Sequence, residues 1–300
     1  MWRRVVCAVL FVLAFIGIDR LVGLFLNRGL NSYFGLNQHS EVLMVGHSHL
    51  MLAVDKSQFE RDTHRLVSKY CREGVNVADK YEMIKQYLDS PYRDSLKVVM
   101  YGVDQFMFVG HDLSQNSYKL FYPFMDNDNI DLYIRRSTDK LDYLLHKVLC
   151  TTRYSDALIN SAIRGWFNDW SNYKDGRLDV AILEKQVKEG QQRHIKFEQE
   201  LIDDFERTLS LLEERGIAVV LVNTPVAKLL NEFEPNEYAA IVRYFQQKAE
   251  SSDMIYYWDL NPEFSDRYEL FHDPIHLNLQ GQKVVSNRLT ELFNETFVSR

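Results

Sequence analysis

A serine and a histidine–aspartate pair lie in two short motifs near opposite ends of this 300-residue sequence. The first motif, GHSH at residues 46–49, follows a run of four apolar residues, and the second is DPIH at residues 273–276. Serine becomes an effective nucleophile when an imidazole accepts its proton and a carboxylate holds that imidazole in one tautomer. The residue types therefore predict nucleophilic catalysis by Ser48, with His276 as the base and Asp273 orienting it.

The same histidines allow a second interpretation, which is a metal site. His47 and His49 flank the serine, and together with Asp273 and His276 they offer the ligand atoms that zinc prefers. A zinc hydrolase is therefore a minor alternative. The leading interpretation assigns no metal and no cofactor.

The elements that must position these motifs alternate between strands and helices. Five apolar or extended segments are predicted as strands of one sheet: 42–45, 74–77, 97–101, 217–222 and 254–258. Residues 65–70 are predicted as a further extended segment, but residues 74–77 are favoured over it for the sheet. Five segments have helical apolar spacing: 55–62, 81–88, 183–212, 235–249 and 278–293. This order predicts an α/β fold with a doubly wound parallel sheet, and it places Ser48 at the carboxyl end of the first strand, where such sheets bind ligands.

The amino terminus is predicted to be a membrane anchor over residues 1–27. Two arginines precede an apolar run to Ile18, and apolar character resumes after Asp19 and Arg20 through Leu26. This length is sufficient to span a bilayer, and the leading arginines favour a cytoplasmic amino terminus with the rest of the chain outside. A cleaved signal peptide and a buried core helix are the alternatives, although no small-residue cleavage site follows the apolar run.

The remaining chain is predicted to form a connector over residues 28–40 and one α/β domain over residues 41–300. A long gap between predicted strands indicates a mostly helical insertion at about residues 106–215. Its many aromatic residues could pack within the insertion or form the wall of a cleft for a sugar or an acyl chain.

The net charge argues against nucleic-acid binding, and the cysteine content leaves open whether the chain contains a disulfide. The formal net charge of −7 argues against nucleic acid as a partner, because no basic patch is available to neutralise phosphates. Cys7 lies in the predicted anchor, whereas Cys71 and Cys150 could pair in an oxidising compartment. Two cysteines so far apart in sequence do not decide whether they pair.

Two sequence blocks resemble a known superfamily. The sequence DPIHLN at residues 273–278, followed by Gly281, resembles the last block of the SGNH (GDSL-like) hydrolases, and residues 45–48 resemble their first block. Order and spacing agree over about residues 40–105 and 215–295. With the anchor in front, the chain resembles cell-envelope members such as D-alanyl-lipoteichoic-acid transfer proteins and polysaccharide O-acetyltransferases. The resemblance implies a three-layer, flavodoxin-like α/β fold.

The resemblance also implies where the oxyanion donors lie. Backbone amides of Ser48 and Ala78 would supply two of them, and Asp104 occupies the position of the family's donor asparagine. An ionised carboxylate there would repel a developing oxyanion, and losing one donor typically costs about 10²–10³ in turnover. Either Gln105 or another amide replaces the asparagine, Asp104 is protonated or turned away, or the site is slow. Four further residues are candidates for supporting roles: His47, His49, Asn76 and Asn278.

The function implied by the resemblance is a membrane-anchored serine esterase or O-acyltransferase. Its substrates would be ester groups of cell-envelope polysaccharide or lipid, and a membrane-bound O-acyltransferase would be a candidate partner. The alternative is a non-catalytic envelope protein of the same fold that binds a polymer or a membrane acyltransferase. Asp104 in the asparagine position favours this alternative.

Overall fold

The computed structural model describes residues 2–110 and 117–298. The predicted anchor, insertion and α/β domain also include residues 1, 111–116 and 299–300, which lie outside the described residues. The chain divides into two compact units. Residues 1–37 and 116–169 form one, here called the helical unit, and residues 38–115 and 170–300 form the other, the sheet unit. The predicted domain boundaries remain a prediction, but residues 116–169 of the predicted insertion group with the amino-terminal helix.

Five parallel strands form the sheet of the sheet unit, in the order β2-β1-β3-β4-β5. This confirms the predicted α/β fold with a parallel sheet. The chain runs from β1 outward to β2 and then returns to β3, so the strand order reverses beside β1, where α/β sheets bind ligands. The strands are β1 (Val42–Gly46), β2 (Val67–Cys71), β3 (Val98–Val103), β4 (Ala218–Asn223) and β5 (Ile255–Asp259). A separate antiparallel pair consists of β6 (Phe271–Asp273) and β7 (His276–Leu277).

The prediction of a strand at residues 74–77 is wrong, because the second strand of the sheet is β2. β2 overlaps residues 65–70, the segment that is predicted as extended but not favoured for the sheet. At its centre, Lys69 is 4% exposed, and its Nζ donates to the carbonyl oxygen of Met51 at 2.7 Å and to that of Val54. Two backbone acceptors compensate the burial of this charge. A lysine that ordinarily marks a solvent-facing position is therefore part of a buried strand here.

The helices follow the predicted alternation. In chain order they are α1 (Trp2–Phe34), α2 (Ser48–Ala53), α3 (Lys56–Thr63), α4 (Val77–Leu88), α5 (Asp128–Ser137), α6 (Lys140–Val148), α7 (Asp156–Trp166), α8 (Val180–Lys188), α9 (Gln199–Glu213), α10 (Lys228–Asn231), α11 (Pro235–Glu250), α12 (Asn261–Phe264) and α13 (Leu279–Phe297). Short 3₁₀ helices cover Arg93–Ser95, Ser117–Phe124, Thr151–Arg153 and Tyr268–Leu270.

Helices cover both faces of the sheet. On one face, α3 and α13 pack against alternate strand residues such as Met44 and Met100 in a continuous apolar core. On the other face, Tyr101 of β3 contacts Phe205 of α9 with ring centroids 5.6 Å apart, and Phe245 of α11 contacts Tyr257 of β5. Successive strand residues point to opposite faces, so covering both faces of the sheet favours strands that are mostly apolar, with Lys69 of β2 as a buried exception.

The helix predicted over residues 183–212 is two helices, α8 and α9, separated by residues 189–198 without helical structure. Gly190 has a positive φ of 67°, which ends α8 in the left-handed conformation that glycine adopts without strain. Apolar residues have helical spacing on both sides of this break, and for this reason the sequence predicts a single helix there.

The amino-terminal helix α1 is 33 residues long and continues through residues 28–34, which the sequence had predicted as connector. Its apolar window has a mean hydropathy of 2.5 and is only 6% buried. It is therefore long and apolar enough to cross a membrane, and this low burial argues against the alternative of a core helix. The helix fits a single-pass membrane anchor.

Candidate active site

The two sequence motifs meet at the carboxyl edge of the sheet. His276 Nε2 lies 2.7 Å from Ser48 Oγ, and His276 Nδ1 lies 2.7 Å from Asp273 Oδ2. An ionised carboxylate can only accept hydrogen bonds, so Nδ1 carries the imidazole proton and Nε2 is free to accept the Ser48 hydroxyl proton. The structure thus brings together the three residues predicted to be catalytic, in the geometry of a proton relay.

A tight antiparallel turn sets the aspartate against the histidine. Asp273 and His276 are paired across β6 and β7, and only Pro274 and Ile275 lie between them. The second carboxylate oxygen, Oδ1, accepts from the backbone amides of Ile275 and His276, each at 3.0 Å. Partial burial opposes ionisation, but the His276 hydrogen bond and these amides lower the pKa of Asp273 to about 2. The carboxylate is therefore ionised at neutral pH.

Ser48 is positioned by a sharp transition from strand β1 to helix α2. Its close packing requires glycine at the end of β1, because a Cβ on Gly46 would lie 2.8 Å from Leu50 Cβ. Gly102 of β3 packs against the same leucine, since a Cβ there would lie 3.0 Å from Leu50 Cβ. The turn of α2 can therefore sit directly on the strand ends, which holds the serine at the edge of the sheet.

Asp104, which stands in the asparagine position of the resemblance, lines the same cavity as Ser48 and is hydrogen-bonded to other residues. It is 3% exposed, its Oδ2 pairs with His47 Nε2, and its Oδ1 accepts from the Phe106 amide at 2.7 Å. Burial opposes ionisation, but His47, His49 and Lys80 together lower the pKa of Asp104 well below its usual range. Asp104 is thus ionised and hydrogen-bonded, and the non-catalytic alternative that its position favours stays a prediction.

His47 connects Asp104 to the helix that carries Ser48. It is the N-cap residue of α2, and its Nδ1 accepts from the His49 amide at 3.2 Å while its Nε2 pairs with Asp104. Both ring nitrogens are therefore used, one by the carboxylate and one by the helix cap. The ring lines the site without a free nitrogen for a substrate.

Of the other predicted oxyanion donors, Ser48 lines the cavity at the site, whereas Ala78 and Gln105 do not. Ser48 begins α2 and Ala78 is the second residue of α4, and backbone amides in the first turn of a helix have no intrahelical partner. Among described residues, the wall of the cavity beside Ser48 includes Asn76 and Val77 but neither Ala78 nor Gln105. Gln105 is buried, and its Nε2 has no hydrogen-bond partner within the described chain. The oxyanion roles of Ala78 and Gln105 stay predictions.

The two predicted supporting asparagines both cap helices. Asn76 caps α4 in a reciprocal arrangement with Asp79, in which each side chain accepts from the other's backbone amide at 2.9 Å. Asn278 caps α13 by accepting from the Gly281 amide, and its Nδ2 donates to carbonyl oxygens that include that of Glu269 at 2.9 Å. These contacts fix the loops on either side of the relay.

The metal alternative meets a geometric difficulty. One group of possible metal ligands, His47, His49 and Asp104, lies within 4.8 Å in the described chain. Two ligands of a tetrahedral zinc ion are about 3.3 Å apart, whereas His47 and Asp104 are in direct hydrogen-bond contact. Of the other residues of the zinc hypothesis, Asp273 bonds to His276, and His276 also bonds to Ser48. The arrangement therefore fits hydrogen-bonded pairs better than zinc ligation.

His49 fills the space between the two histidine–carboxylate pairs. Its ring meets those of His47 and His276 edge-on, with centroids 4.3 and 5.5 Å away. Burial lowers the pKa of His49 well below its ordinary value, so the ring is neutral. Its Nδ1 is buried and has no hydrogen-bond partner among the residues described.

Two cavities of different size adjoin the relay. The first, of about 190 Å³, is lined by Ser48, Val77, Lys80 and Asp104 among others. The second, of about 610 Å³, is bordered by Asp273, Pro274 and Leu230 among others. Both cavities share three lining residues, namely Phe106, Arg193 and Ile275. A small chamber at the serine thus adjoins a larger and more open groove.

Lys80 is a residue of the site that the sequence analysis missed. It is 1% exposed, its Nζ donates to the Gly102 carbonyl oxygen at 2.8 Å, and the same atom lies 4.9 Å from the centroid of the Tyr101 ring. Burial lowers the pKa of Lys80 to about 8. The Asn76-x-x-Asp79 pattern is a capping signal that could have started α4 at residue 77 and placed Lys80 in its first turn.

Comparison with known proteins gives a family for the carboxyl-terminal part of the chain. Residues 177–293 match the DltD protein family. The matched segment contains Asp273 and His276 but not Ser48. The resemblance to D-alanyl-lipoteichoic-acid transfer proteins is thereby confirmed over this part. No curated protein sequence matches the chain.

Two solved structures show low overall similarity. A protein from Streptococcus pneumonia, described as a candidate platelet activating factor, has 10% identity and a TM-score of 0.41, with 96% of this chain and 98% of that chain covered. The lipase Lip_vut3 from a goat rumen metagenome has 12% identity and a TM-score of 0.40, with 83% and 95% covered. Both scores are below 0.5, so these similarities carry no argument about function.

Proposed function

We propose that this protein is a membrane-anchored serine esterase or O-acyltransferase of the cell envelope. The observation that carries the proposal is the relay from Ser48 through His276 to Asp273, with 2.7 Å at each step. In this mechanism, Ser48 Oγ attacks an ester carbonyl, His276 Nε2 accepts the hydroxyl proton and then donates it to the leaving oxygen, and Asp273 stabilises the imidazolium. The family match over residues 177–293 supports an envelope role.

The cavities support a small acyl group and a larger acceptor. A chamber of about 190 Å³ beside Ser48 is below the roughly 300–1,000 Å³ of pockets that hold drug-sized ligands. It suits a short acyl group, whereas the groove of about 610 Å³ suits a sugar or a lipid headgroup. Water as the second acceptor would make the protein an esterase, and a hydroxyl group of a glycan or lipid would make it a transferase.

The anchor determines the proposed location. Arg3 and Arg4 precede the apolar part of α1, and positive residues favour the cytoplasmic side of a membrane. We therefore place the amino terminus in the cytoplasm and residues 28–300 on the extracytoplasmic side. Envelope polysaccharide or lipid would then be accessible, and a membrane-bound O-acyltransferase would be a suitable source of acyl groups.

A fluorophosphonate probe tests the nucleophile directly. The full chain in membranes should be labelled, and Ser48→Ala should abolish labelling, because the probe phosphonylates an activated serine. Ser57→Ala is the matched control, since Ser57 is an exposed serine in helix α3. Labelling of Ser48→Ala at the wild-type level would contradict the proposal, as would absence of labelling in the folded wild type.

A further inference from the structure

The outer face of α6 in the helical unit is an exposed apolar surface that the proposed function does not explain. Residues at positions i, i+3, i+4 and i+7 of this helix are apolar and exposed, and such residues lie on one face of a helix. Their exposed fractions range from 46% to 81%. We call this face the apolar stripe, and it consists of Leu141, Leu144, Leu145 and Val148.

Three polar side chains of the same helix, those of Asp142, Tyr143 and Lys147, are only partly exposed and bond within the helical unit, whereas Lys140 is exposed. Asp142 accepts from the Tyr122 hydroxyl at 2.6 Å, and Lys147 Nζ donates to Asp131 at 2.6 Å. The Tyr143 hydroxyl donates to both carboxylate oxygens of Asp131. A helix on a water-exposed surface has the opposite arrangement, with apolar residues inward and polar residues outward. The inverted arrangement indicates that the medium outside α6 is apolar.

The apolar stripe is joined to the anchor by specific contacts. Arg20 Nη2 donates to the Val148 carbonyl oxygen at 3.0 Å, at the end of the stripe. Asp19 accepts from the amides of Cys150 and Thr151 at 2.8 and 2.9 Å, and from the Thr151 hydroxyl. The turn after α6 thus satisfies the only two charged residues between Val5 and Leu26, which explains how they are tolerated within an apolar helix.

The position of these contacts along α1 gives the depth of the stripe. A hydrocarbon core of about 30 Å, starting at Val5 and crossed at about 1.5 Å per residue, would end near residue 25. Asp19 and Arg20 would then lie roughly 8–10 Å inside the outer edge, which is the depth that interfacial amphipathic helices reach. Near the expected edge, Trp166 stacks on Phe25 at 5.0 Å, and the adjacent Phe167 is 78% exposed. Aromatic residues concentrate at that level of a membrane.

We propose that α6 is a second membrane contact, whose apolar stripe is inserted into the outer leaflet beside α1. The occupant of this face is lipid rather than another protein, because the stripe continues the exposed apolar surface of a helix that fits a membrane span. The helical unit is then held in the bilayer by two helices that contact lipid, one crossing it and one lying within the interface. This proposal rests on the anchor and is independent of the chemistry at Ser48.

Spin labels on the full chain in nanodiscs test the proposal. Leu144→Cys and Val148→Cys carry the label, and Asn160→Cys, an exposed polar position on α7 of the same unit, is the matched control. Cys7→Ser removes the exposed native thiol, whereas Cys71 and Cys150 are buried. Substitutions at these exposed positions leave the interior of the unit unchanged.

Collision with molecular oxygen, which dissolves in lipid, is compared with collision with a water-soluble nickel chelate. We expect the ratio of oxygen to nickel collision to be several-fold higher at residues 144 and 148 than at residue 160. A low ratio at residues 144 and 148, equal to that at residue 160, would overturn the proposal because the stripe would face water. Immobilised labels with low access to both reagents would also overturn it, since a protein surface would then cover the stripe.

Discussion

Replacement of Asp273 by asparagine tests whether the carboxylate controls the tautomer of His276. In the wild type, Asp273 Oδ2 can only accept, so His276 Nδ1 carries a proton and Nε2 accepts from Ser48. In Asp273→Asn, the amide oxygen can keep the backbone hydrogen bonds of Oδ1. Its NH₂ group then faces His276 Nδ1 and donates to it. The proton moves to Nε2, where it opposes deprotonation of Ser48.

The size of the effect follows from the exposure of the pair. A triad with a buried aspartate loses about 10⁴ in turnover on this substitution. The Asp273 side chain is 34% exposed and that of His276 is 13% exposed, so solvent screens part of the electrostatic contribution while the tautomer effect remains. We therefore expect a loss of about 10³, which corresponds to roughly 4 kcal/mol of transition-state stabilisation.

The rate of fluorophosphonate labelling at neutral pH measures this loss on the full chain in membranes. Asp266→Asn is the control, because it makes the same change of charge at an exposed aspartate in the sheet unit. An Asp273→Asn rate close to the wild-type rate, with Ser48 still the labelled residue, would refute the argument that Asp273 orients the base. It would leave Ser48 as the nucleophile with a different source of activation.

Three further substitutions test the structure around the relay and the anchor. Asp104→Asn should lower the free energy of unfolding by about 2–3 kcal/mol, because a buried charged partner of His47 is lost. Denaturant midpoints measure this change, and Asp266→Asn is the control. An unchanged midpoint in Asp104→Asn would contradict the prediction. Burial lowers the pKa of Lys80 to about 8, so unfolding takes up a proton between about pH 8 and the ordinary lysine value near 10.4, and stability rises with pH across that window. Lys80→Met lacks this titrating group, so only the wild type gains stability as the pH rises. The free energy of unfolding of Lys80→Met minus that of the wild type should therefore fall by up to about 3 kcal/mol from pH 7 to pH 10.5. A difference that does not change with pH would contradict this prediction. Gly165→Ala should separate α1 from α7 and speed proteolysis of the helical unit, because its Cβ would lie 1.9 Å from the Gly29 carbonyl oxygen. Gly17→Ala is the control and should not change the rate of proteolysis, because a Cβ on Gly17 would have no other atom within 4 Å.

The sequence predicted four of the five strands because each is a continuous apolar run. Parallel strands covered on both faces contain few polar residues, and β1, β3, β4 and β5 fit this rule. β2 does not, because Lys69 interrupts it; the sequence predicts an extended segment at residues 65–70 but favours residues 74–77 for the sheet. The free energy that allows a buried lysine comes from the carbonyl oxygens of Met51 and Val54, which belong to another segment of the chain. No local pattern contains that information.

The sequence also identified the residues of the relay, but not the way in which Asp104 is accommodated. The short spacing between Asp273 and His276 was sufficient to select that pair, whereas Ser48, which is 228 positions from His276, was selected by its residue type and by the order of the motifs in the resemblance. The partner of Asp104 is His47, which is 57 positions away in sequence. Their contact arises only because β1 and β3 are neighbours in the sheet. A carboxylate without a partner and one that is hydrogen-bonded to a distant histidine look identical in sequence.

We therefore expect the stabilisation of a developing oxyanion at Ser48 to come from backbone amides or from the side-chain amide of Gln105, whose Nε2 has no hydrogen-bond partner among the described residues. Asp104 supplies no donor, since its two oxygens accept from His47 and Phe106. Two helices, α2 and α4, begin beside the cavity, and their first amides have no intrahelical partner. The positive ends of both helix dipoles add to the buried charge of Lys80, which offsets the negative charge of Asp104. On this argument, we expect the amides of the two helices to act on the oxyanion although Asp104 replaces the asparagine of the resemblance, because the charge of Lys80 lies near enough to offset part of that of Asp104.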